Sequence, residues 1–323
     1  MTSTNTTART GMLDTFLRYG FLIVFAGFFA LFTVVNPIFV TPGNILNIVE
    51  GSAVLLILAL GMTLVVSMGG IDLSVGIALD FGAAFAVVAM KNYGIDWSTA
   101  VLIGIAGGTL VGGLNAILVV GLNVSPFLAT LGTFFIGSSV QRIFTNGGGP
   151  ISYRKMPEEF RNLALGDVFG IPSEVIIALV LLAIYFVVLQ RSIFGRRAHA
   201  IGMQTSAALV AGIKVKLYVA LGFVLASGTC AIGGIIAAAN MRMFTPLAGF
   251  SYLMDAIAAV FIGAAINARG RPNVMGTVVG VLFLAMVTNG LNLMGLDFNT
   301  KDALSGLILV GALALAVSQQ KRG

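Results

Sequence analysis

The chain has 323 residues, of which 58% are apolar and 9% are charged. Soluble domains carry about 25% charged residues, so this composition excludes an ordinary soluble protein. One cysteine and one histidine exclude an internal disulfide and a thiolate metal cluster, and they leave no histidine pair for acid/base chemistry within a membrane. We therefore expect neither a cofactor nor an enzyme active site.

Ten apolar runs predict membrane-spanning helices, since a helix needs roughly 20 apolar residues to cross a bilayer and fewer where its neighbours shelter it. The fold class that follows is an all-α polytopic membrane protein. Its single transmembrane domain is expected at residues 19–317, between terminal tails at residues 1–18 and 318–323. In chain order the ten runs are Tyr19–Val35, Ile45–Ser67, Ser74–Met90, Thr99–Leu122, Pro126–Phe144, Val175–Leu189, Leu217–Ala239, Leu253–Ile266, Val274–Leu291 and Ala303–Val317.

Basic residues near the ends of the spans predict the orientation. With the N-terminus inside, eleven lysines and arginines face the cytoplasm and seven face the other side. Both termini are therefore expected in the cytoplasm. The net charge of +6 then reflects topology, and no nucleic acid is expected as a partner.

The residues also limit the energy source for transport. The sequence contains no Gly-Lys pair, which a nucleotide-binding P-loop requires, so any ATP must be hydrolysed by another chain. An ion gradient would need ionisable side chains inside the bundle, and the candidates are Asp72 and Asp80. Asp72 is interpreted as a helix cap at the membrane interface. Asp80 either lines a polar pathway or makes a buried hydrogen bond.

Asparagines in or near the spans could meet the hydroxyls of a polar solute, or they could join helices by hydrogen bonds. Together with Asp80, they form the candidate substrate pathway: Asn115, Asn146, Asn240 and Asn289.

The predicted cytoplasmic segment FGRRAHAIGMQTSAALVAGIKVK begins at Phe194 with a basic stretch. A short amphipathic helix is expected from Met203 to Ala211, with Gly212 ending it. Such a helix can dock a partner protein, or it can lie at the membrane surface as an ordinary interfacial helix.

The stretch ALGMTLVVSMGGIDLSVG, from Ala59 to Gly76, resembles the signature of the permease subunits of ribose-type ABC importers, the monosaccharide branch. Further similar stretches follow in order: PFLATLGT, TNG, FGRRAHAIG, AGI, DAIAAVFIG and NGLNLMG. The residues of the first stretch that we assign to a structural motif are Gly69, Gly70, Asp72, Ser74 and Gly76.

The resemblance implies a permease of the bacterial inner membrane that imports a monosaccharide or small polyol. It also implies two ATP-binding cassettes, a periplasmic or extracellular sugar-binding protein, and a second permease chain in a homodimer or heterodimer. Spans 2–5 and 7–10 would be inverted repeats. The segment 195–213 would couple to the cassettes through Gly195, Arg196, Arg197, Gly202, Gln204, Ala207, Ala208 and Gly212. The alternative is a secondary, proton-coupled transporter that uses Asp80.

Overall fold

The computed structural model describes residues 6–267 and 270–297, and also residues 300, 303–304, 306–307 and 310–311. Its helices are α1 (Thr6–Val35), α2 (Pro42–Ser67), α3 (Val75–Tyr93), α4 (Trp97–Ala116), α5 (Pro126–Phe144), α6 (Glu158–Leu165), α7 (Ser173–Phe186), α8 (Ile193–Met203), α9 (Thr205–Val210), α10 (Val215–Met241), α11 (Gly249–Ile266) and α12 (Val274–Leu293). Single turns of other helix types are Pro37–Val40, Ile117–Gly121 and Val187–Arg191.

Four two-residue strands lie in the connections between helices: β1 (Ile151–Ser152), β2 (Asp167–Val168), β3 (Ile171–Pro172) and β4 (Met243–Phe244). β1 pairs antiparallel with β4, and β2 pairs antiparallel with β3. The pairing of β1 with β4 joins two connections that the charge pattern puts on the same side of the membrane.

Within the described residues, eight helices are long and apolar enough to cross a membrane, and α1 adds a shorter apolar stretch at Phe21–Val35. The all-α polytopic class is therefore confirmed. α1 begins at Thr6, inside the stretch predicted as a tail. The tenth predicted span, Ala303–Val317, lies mostly outside the described residues, and the C-terminal tail lies entirely outside them.

The chain divides into two compact units. One contains residues up to 49 and from 258 onward, and the other is residues 50–257. The first unit packs α1 against α12 through phenylalanines: the rings of Phe21 and Phe283 meet edge to face with their centroids 5.1 Å apart. Gly290 of α12 faces the ring of Phe32, so a larger residue at position 290 would displace that ring.

The larger unit is built on helices whose backbones lie close together. Residues 52–65 of α2 are all buried, as expected for a helix that is apolar on every side. Around it, α3, α4 and α10 meet at small residues: a Cβ added to Gly82 of α3 would lie 2.5 Å from the backbone oxygen of Ala231 in α10. Glycine at such contacts gives van der Waals packing between backbones, which drives helix association in lipid.

One close approach brings together the first turns of α3 and α11. A Cβ added to Gly76 would lie 2.5 Å from the backbone oxygen of Gly249, and a Cβ on Gly249 would collide with the backbone of Gly76. Both glycines are buried, so the two helix starts meet backbone to backbone inside the protein, while Phe250 and Ser251, the next residues of α11, are exposed. The buried N–H of Gly249 must find a partner within the protein.

The predicted helix from Met203 to Ala211 is wrong in its bounds. α8 ends at Met203, the backbone is extended at Gln204, and α9 then covers only Thr205–Val210. Gly212 does follow the end of α9, with a φ of 76°.

The neighbouring glycines of α4 provide a test of backbone packing. A Cβ at Gly112 would collide with the backbone of Phe223, whereas a Cβ at Gly113 meets nothing within 4 Å. We expect Gly112→Ala to lower the free energy of unfolding by about 1–3 kcal/mol through overpacking. We expect Gly113→Ala to be neutral or to stabilise the helix by up to about 1 kcal/mol.

Thermal unfolding in detergent would measure both, with a thiol-reactive dye that reports exposure of the buried Cys230, the one cysteine of the chain. Equal midpoints for the two variants would contradict the packing argument.

Candidate functional site

The Gly69–Gly76 motif forms a buried turn between α2 and α3, held by a chain of hydrogen bonds. One oxygen of Asp72 accepts from the Ser74 hydroxyl at 2.6 Å and from the Ser74 backbone N–H at 2.8 Å. The Ser74 hydroxyl accepts from the side-chain amide of Asn115 at 2.6 Å. The Asn115 carbonyl accepts from the Thr133 hydroxyl at 2.7 Å. This Asp72–Thr133 network therefore ties the start of α3 to α4 and α5.

Asp72 does accept a hydrogen bond from a backbone N–H at the start of the third predicted span, Ser74–Met90, but it is not the N-cap residue of α3. Asp72 is completely buried, and its hydrogen bonds close a turn onto Ser74, two residues ahead, rather than onto the first turn of α3. Ser74 occupies the N-cap position, and its own side chain makes no capping bond. The sequence showed an acidic residue before an apolar run, but it did not show that the turn is covered by α4 and α5.

Asp80 belongs to a second buried contact, which holds the chain just before α11. One Asp80 oxygen accepts from the Gly249 backbone N–H at 2.8 Å. The side-chain oxygen of Gln141 accepts from the backbone N–H of Leu247 at 2.8 Å, and Gln141 is also a polar neighbour of Asp80. Because Asp80 is 1% exposed, the structure favours the buried hydrogen bond over a solvent-lined position.

The four candidate pathway asparagines lie in different local environments. Asn115 is part of the Asp72–Thr133 network, and Asn289 of α12 exchanges side-chain hydrogen bonds of 2.9 and 3.0 Å with Asn44 of α2. The Asn240 side chain lies near Glu174, and Asn146 lies exposed in a turn with a φ of 52°. The contacts of Asn115 and Asn289 join helices, which is one of the two roles that the sequence left open.

The segment 195–213 consists of α8, α9 and the residues that end them. Arg196 and Arg197 are exposed, and the Arg197 guanidinium donates to the Tyr218 hydroxyl at 2.7 Å. Gln204, Ala207 and Gly212 are exposed as well.

Two other predicted contact residues are buried. Gly195 packs on the backbone of Leu189, and Ala208 is 3% exposed. Gly195 and Ala208 therefore shape the segment and do not present side chains at its surface.

Gly202, near the end of α8, lies directly against the turn that carries the motif. A Cβ added to Gly69 would lie 3.3 Å from the Gly202 Cα, and a Cβ added to Gly202 would lie 3.0 Å from the Gly69 nitrogen and collide with the Ser67 carbonyl. Gly69 has a φ of 82°, which glycine adopts readily. Segment 195–213 is thus in backbone contact with the turn held by the Asp72–Thr133 network.

Sequence reasoning missed Gln141, Thr133 and Asn44. Gln141 and Thr133 are polar residues within a predicted span, the signal that singled out the asparagines, and Asn44 directly precedes the predicted span Ile45–Ser67. The sequence does not show whether such a side chain bonds within its own helix or to another element.

The chain is similar to known permeases over most of its length. Residues 44–313 match the model of a family described as branched-chain amino acid transport system / permease component. The chain is 36% identical to the ribose import permease protein RbsC of Bacillus subtilis (strain 168), over 90% of this chain and 91% of that protein.

Two relatives from Escherichia coli (strain K12) are similar over a comparable length. The chain is 31% identical to the ribose import permease protein RbsC, over 93% of each chain. It is 30% identical to the D-allose transport system permease protein AlsC, over 92% of this chain and 91% of that protein. No solved structure matches the chain.

The Asp72–Thr133 network can be tested at its last member. Thr133→Val removes the donor to Asn115 and leaves a buried carbonyl unpaired, so we expect a loss of about 1–3 kcal/mol in the free energy of unfolding. Thr109→Val is the matched control, because the Thr109 hydroxyl bonds only within its own helix, to the Ile105 carbonyl at 2.6 Å. The thermal midpoint should fall clearly for Thr133→Val alone; an equal fall in both variants would argue against a network across helices.

Proposed function

The chain belongs to the family described as branched-chain amino acid transport system / permease component, and we propose that it imports a monosaccharide or similar small polyol. The observation that carries the proposal is the alignment of almost the whole chain with import permeases named for ribose and allose. The protein acts as the membrane subunit of an ATP-driven importer in the bacterial inner membrane. ATP hydrolysis then takes place in separate cassette subunits.

The exposed face of segment 195–213 supports docking of a cassette. The side chains of Met203, Leu209 and Val210 are 61%, 57% and 91% exposed, and Ala207, between them in the sequence, is exposed as well. Exposed apolar side chains in a short helical segment, next to two arginines, suit a groove on a partner protein. We assign the predicted coupling residues to this contact, with Gly195 and Ala208 as its internal support.

The backbone contact of Gly202 supplies a route for coupling. If a cassette displaces α8, Gly202 presses on the turn that contains Gly69, because the two backbones are in direct contact. That turn is bonded through Asp72 and Ser74 to α4 and α5. A movement of segment 195–213 would therefore displace α3, α4 and α5 together.

Contacts at a constant sequence offset support the inverted repeats. Gly61 of α2 faces the sulfur of Cys230 in α10, and Gly233, 172 residues after Gly61, faces Leu58 in the converse arrangement. Gly76 and Gly249, 173 residues apart, face each other.

The same offset relates the closely packed glycines of α4 to those of α12. Gly104 and Gly108 in α4 correspond to Gly276 and Gly280 in α12, again 172 residues later. A two-fold relation between spans 2–5 and spans 7–10 would produce this pattern.

Orientation and the remaining partners complete the proposal. Both termini are assigned to the cytoplasm, since this puts segment 195–213 on the side where ATP is available. A sugar-binding protein would meet the opposite face, and a second permease chain would complete the translocation unit. The pathway assignment keeps Asp80, Asn115, Asn146, Asn240 and Asn289 as residues near the solute's route, with structural contacts of their own.

The docking surface can be tested with a single carboxylate. Ala207→Glu puts a charge into the apolar contact, where it loses its hydration without gaining a partner, so we expect transport to fall at least tenfold while the variant still inserts in the membrane. Cassettes co-expressed with the variant should no longer co-purify with it. Asn162→Glu, an exposed acidic substitution in the connection between α5 and α7, is the control and should leave insertion and co-purification of the cassettes unchanged. Normal co-purification and transport with Ala207→Glu would overturn the assignment.

Asp80 separates ATP-driven import from proton-coupled transport. Asp80→Asn keeps the size of the side chain and its acceptor oxygen for the Gly249 N–H, but the amide cannot carry a proton. We expect substantial concentrative uptake to remain, because the cassettes supply the energy of each cycle. The measurement is the ratio of accumulated to external solute, normalised to the amount of protein. A ratio near one, with exchange intact, would favour ion coupling and contradict the proposed function.

A further inference from the structure

A small hairpin, residues 166–172, projects from the connection between α6 and α7. Its strands pair Val168 with Ile171, so the turn consists of Phe169 and Gly170 alone. The base is fixed, since the Ser173 N–H donates to the Gly166 carbonyl at 2.8 Å. The hairpin is therefore a defined projection and not a loose loop.

The tip of the hairpin is apolar and exposed. Phe169 is fully exposed at 101%, and its neighbours Val168 and Ile171 are each 46% exposed. Cross-strand partners lie on one face of a hairpin, so these two side chains form one apolar face beside the phenylalanine. The only charge in the hairpin, on Asp167, accepts a hydrogen bond of 2.8 Å from the Gly170 N–H. The two residues of the tip, Phe169 and Gly170, carry no polar side chain.

The backbone of Phe169 adds an independent observation. Its φ is 57° and that of Gly170 is 82°, as a two-residue hairpin turn with two positive φ values requires. Asparagine or glycine normally occupies the first of these positions, and a bulky residue there is an outlier. A strained residue that also exposes its whole ring suggests a use for the ring.

The hairpin lies close to the end of a membrane-spanning helix. Pro172, the last residue of β3, directly precedes Ser173, where the membrane-spanning helix α7 begins. Three strand residues at about 3.3 Å each put Phe169 within about 10 Å of the end of that span. The headgroup region on each side of the hydrocarbon core is about 5–8 Å thick. A hairpin that leans toward the bilayer therefore places its tip within the lipid interface.

We propose that the 166–172 hairpin anchors the protein in the lipid headgroup interface, with Phe169, Val168 and Ile171 inserted at the boundary of the acyl chains. An interfacial environment accepts aromatic and aliphatic side chains, and it needs no matching charge from the protein. A protein partner would instead be recognised by polar and charged groups at the rim of the contact, and the hairpin offers one carboxylate that is already bonded. The inference depends only on the chain spanning a membrane.

The chain has a single tryptophan, Trp97, so a one-tryptophan reporter is readily made. Full-length protein carrying Trp97→Phe and Phe169→Trp would be reconstituted into phosphatidylcholine vesicles, plain or brominated near the headgroup end of the acyl chains. We expect the brominated lipid to quench at least half of the fluorescence, with blue-shifted emission and little quenching by aqueous acrylamide. Trp97→Phe with Glu159→Trp, at an exposed charged position of α6, is the control and should show the reverse.

Strong acrylamide quenching of the Phe169→Trp reporter without lipid quenching would overturn the proposal. Protection that arises only when a sugar-binding protein is added would also overturn it, in favour of protein docking. Ile171→Trp in the same background gives a second reporter if the first variant is not monodisperse, and the same quenching pattern is expected from it.

Discussion

The constraint on which the structure depends is that the starts of α3 and α11 meet backbone to backbone inside the protein, with Gly76 against Gly249. A helix that starts in a dry environment exposes N–H groups for which water offers no partner. Asp80 accepts from the first N–H of α11, and Gln141 accepts from the chain two residues earlier. One oxygen of the buried Asp80 carboxylate is therefore accounted for by the position of a helix end.

The same constraint explains why small residues dominate the contacts around α3. Two helix ends fit into the interior only if the surrounding backbones lie close, and the glycines of α4 and α10 permit this. Close packing in turn leaves no room for local adjustment, since a displaced backbone meets another backbone directly. The contact between Gly202 and the turn at Gly69 also joins two backbones directly, and under the proposed function it would transmit movement from segment 195–213.

The sequence predicts the spans well because each is a long apolar run, and the ends of α5 agree to the residue at Pro126–Phe144. It predicts connections less well. Asp72 looks like a cap from its neighbours along the chain, but the helices that cover it come from residues about 40 and 60 positions later. The break at Gln204 has a similar cause, since α8 ends where Gly202 meets the 67–69 turn.

The polar residues that the structure describes also bear on whether an ion gradient or ATP hydrolysis drives transport. Asp80 and Asn115 are engaged in bonds between elements, and Asn289 is paired with Asn44, so each stabilises a contact in one arrangement of the spans. A relay that uses an ion gradient needs a side chain that changes its charge during the cycle. A transporter driven by cassettes needs rigid elements that move as units, with bonds that persist through the movement. The buried networks fit the second requirement, because breaking any of them would leave an unpaired polar group in a dry interior.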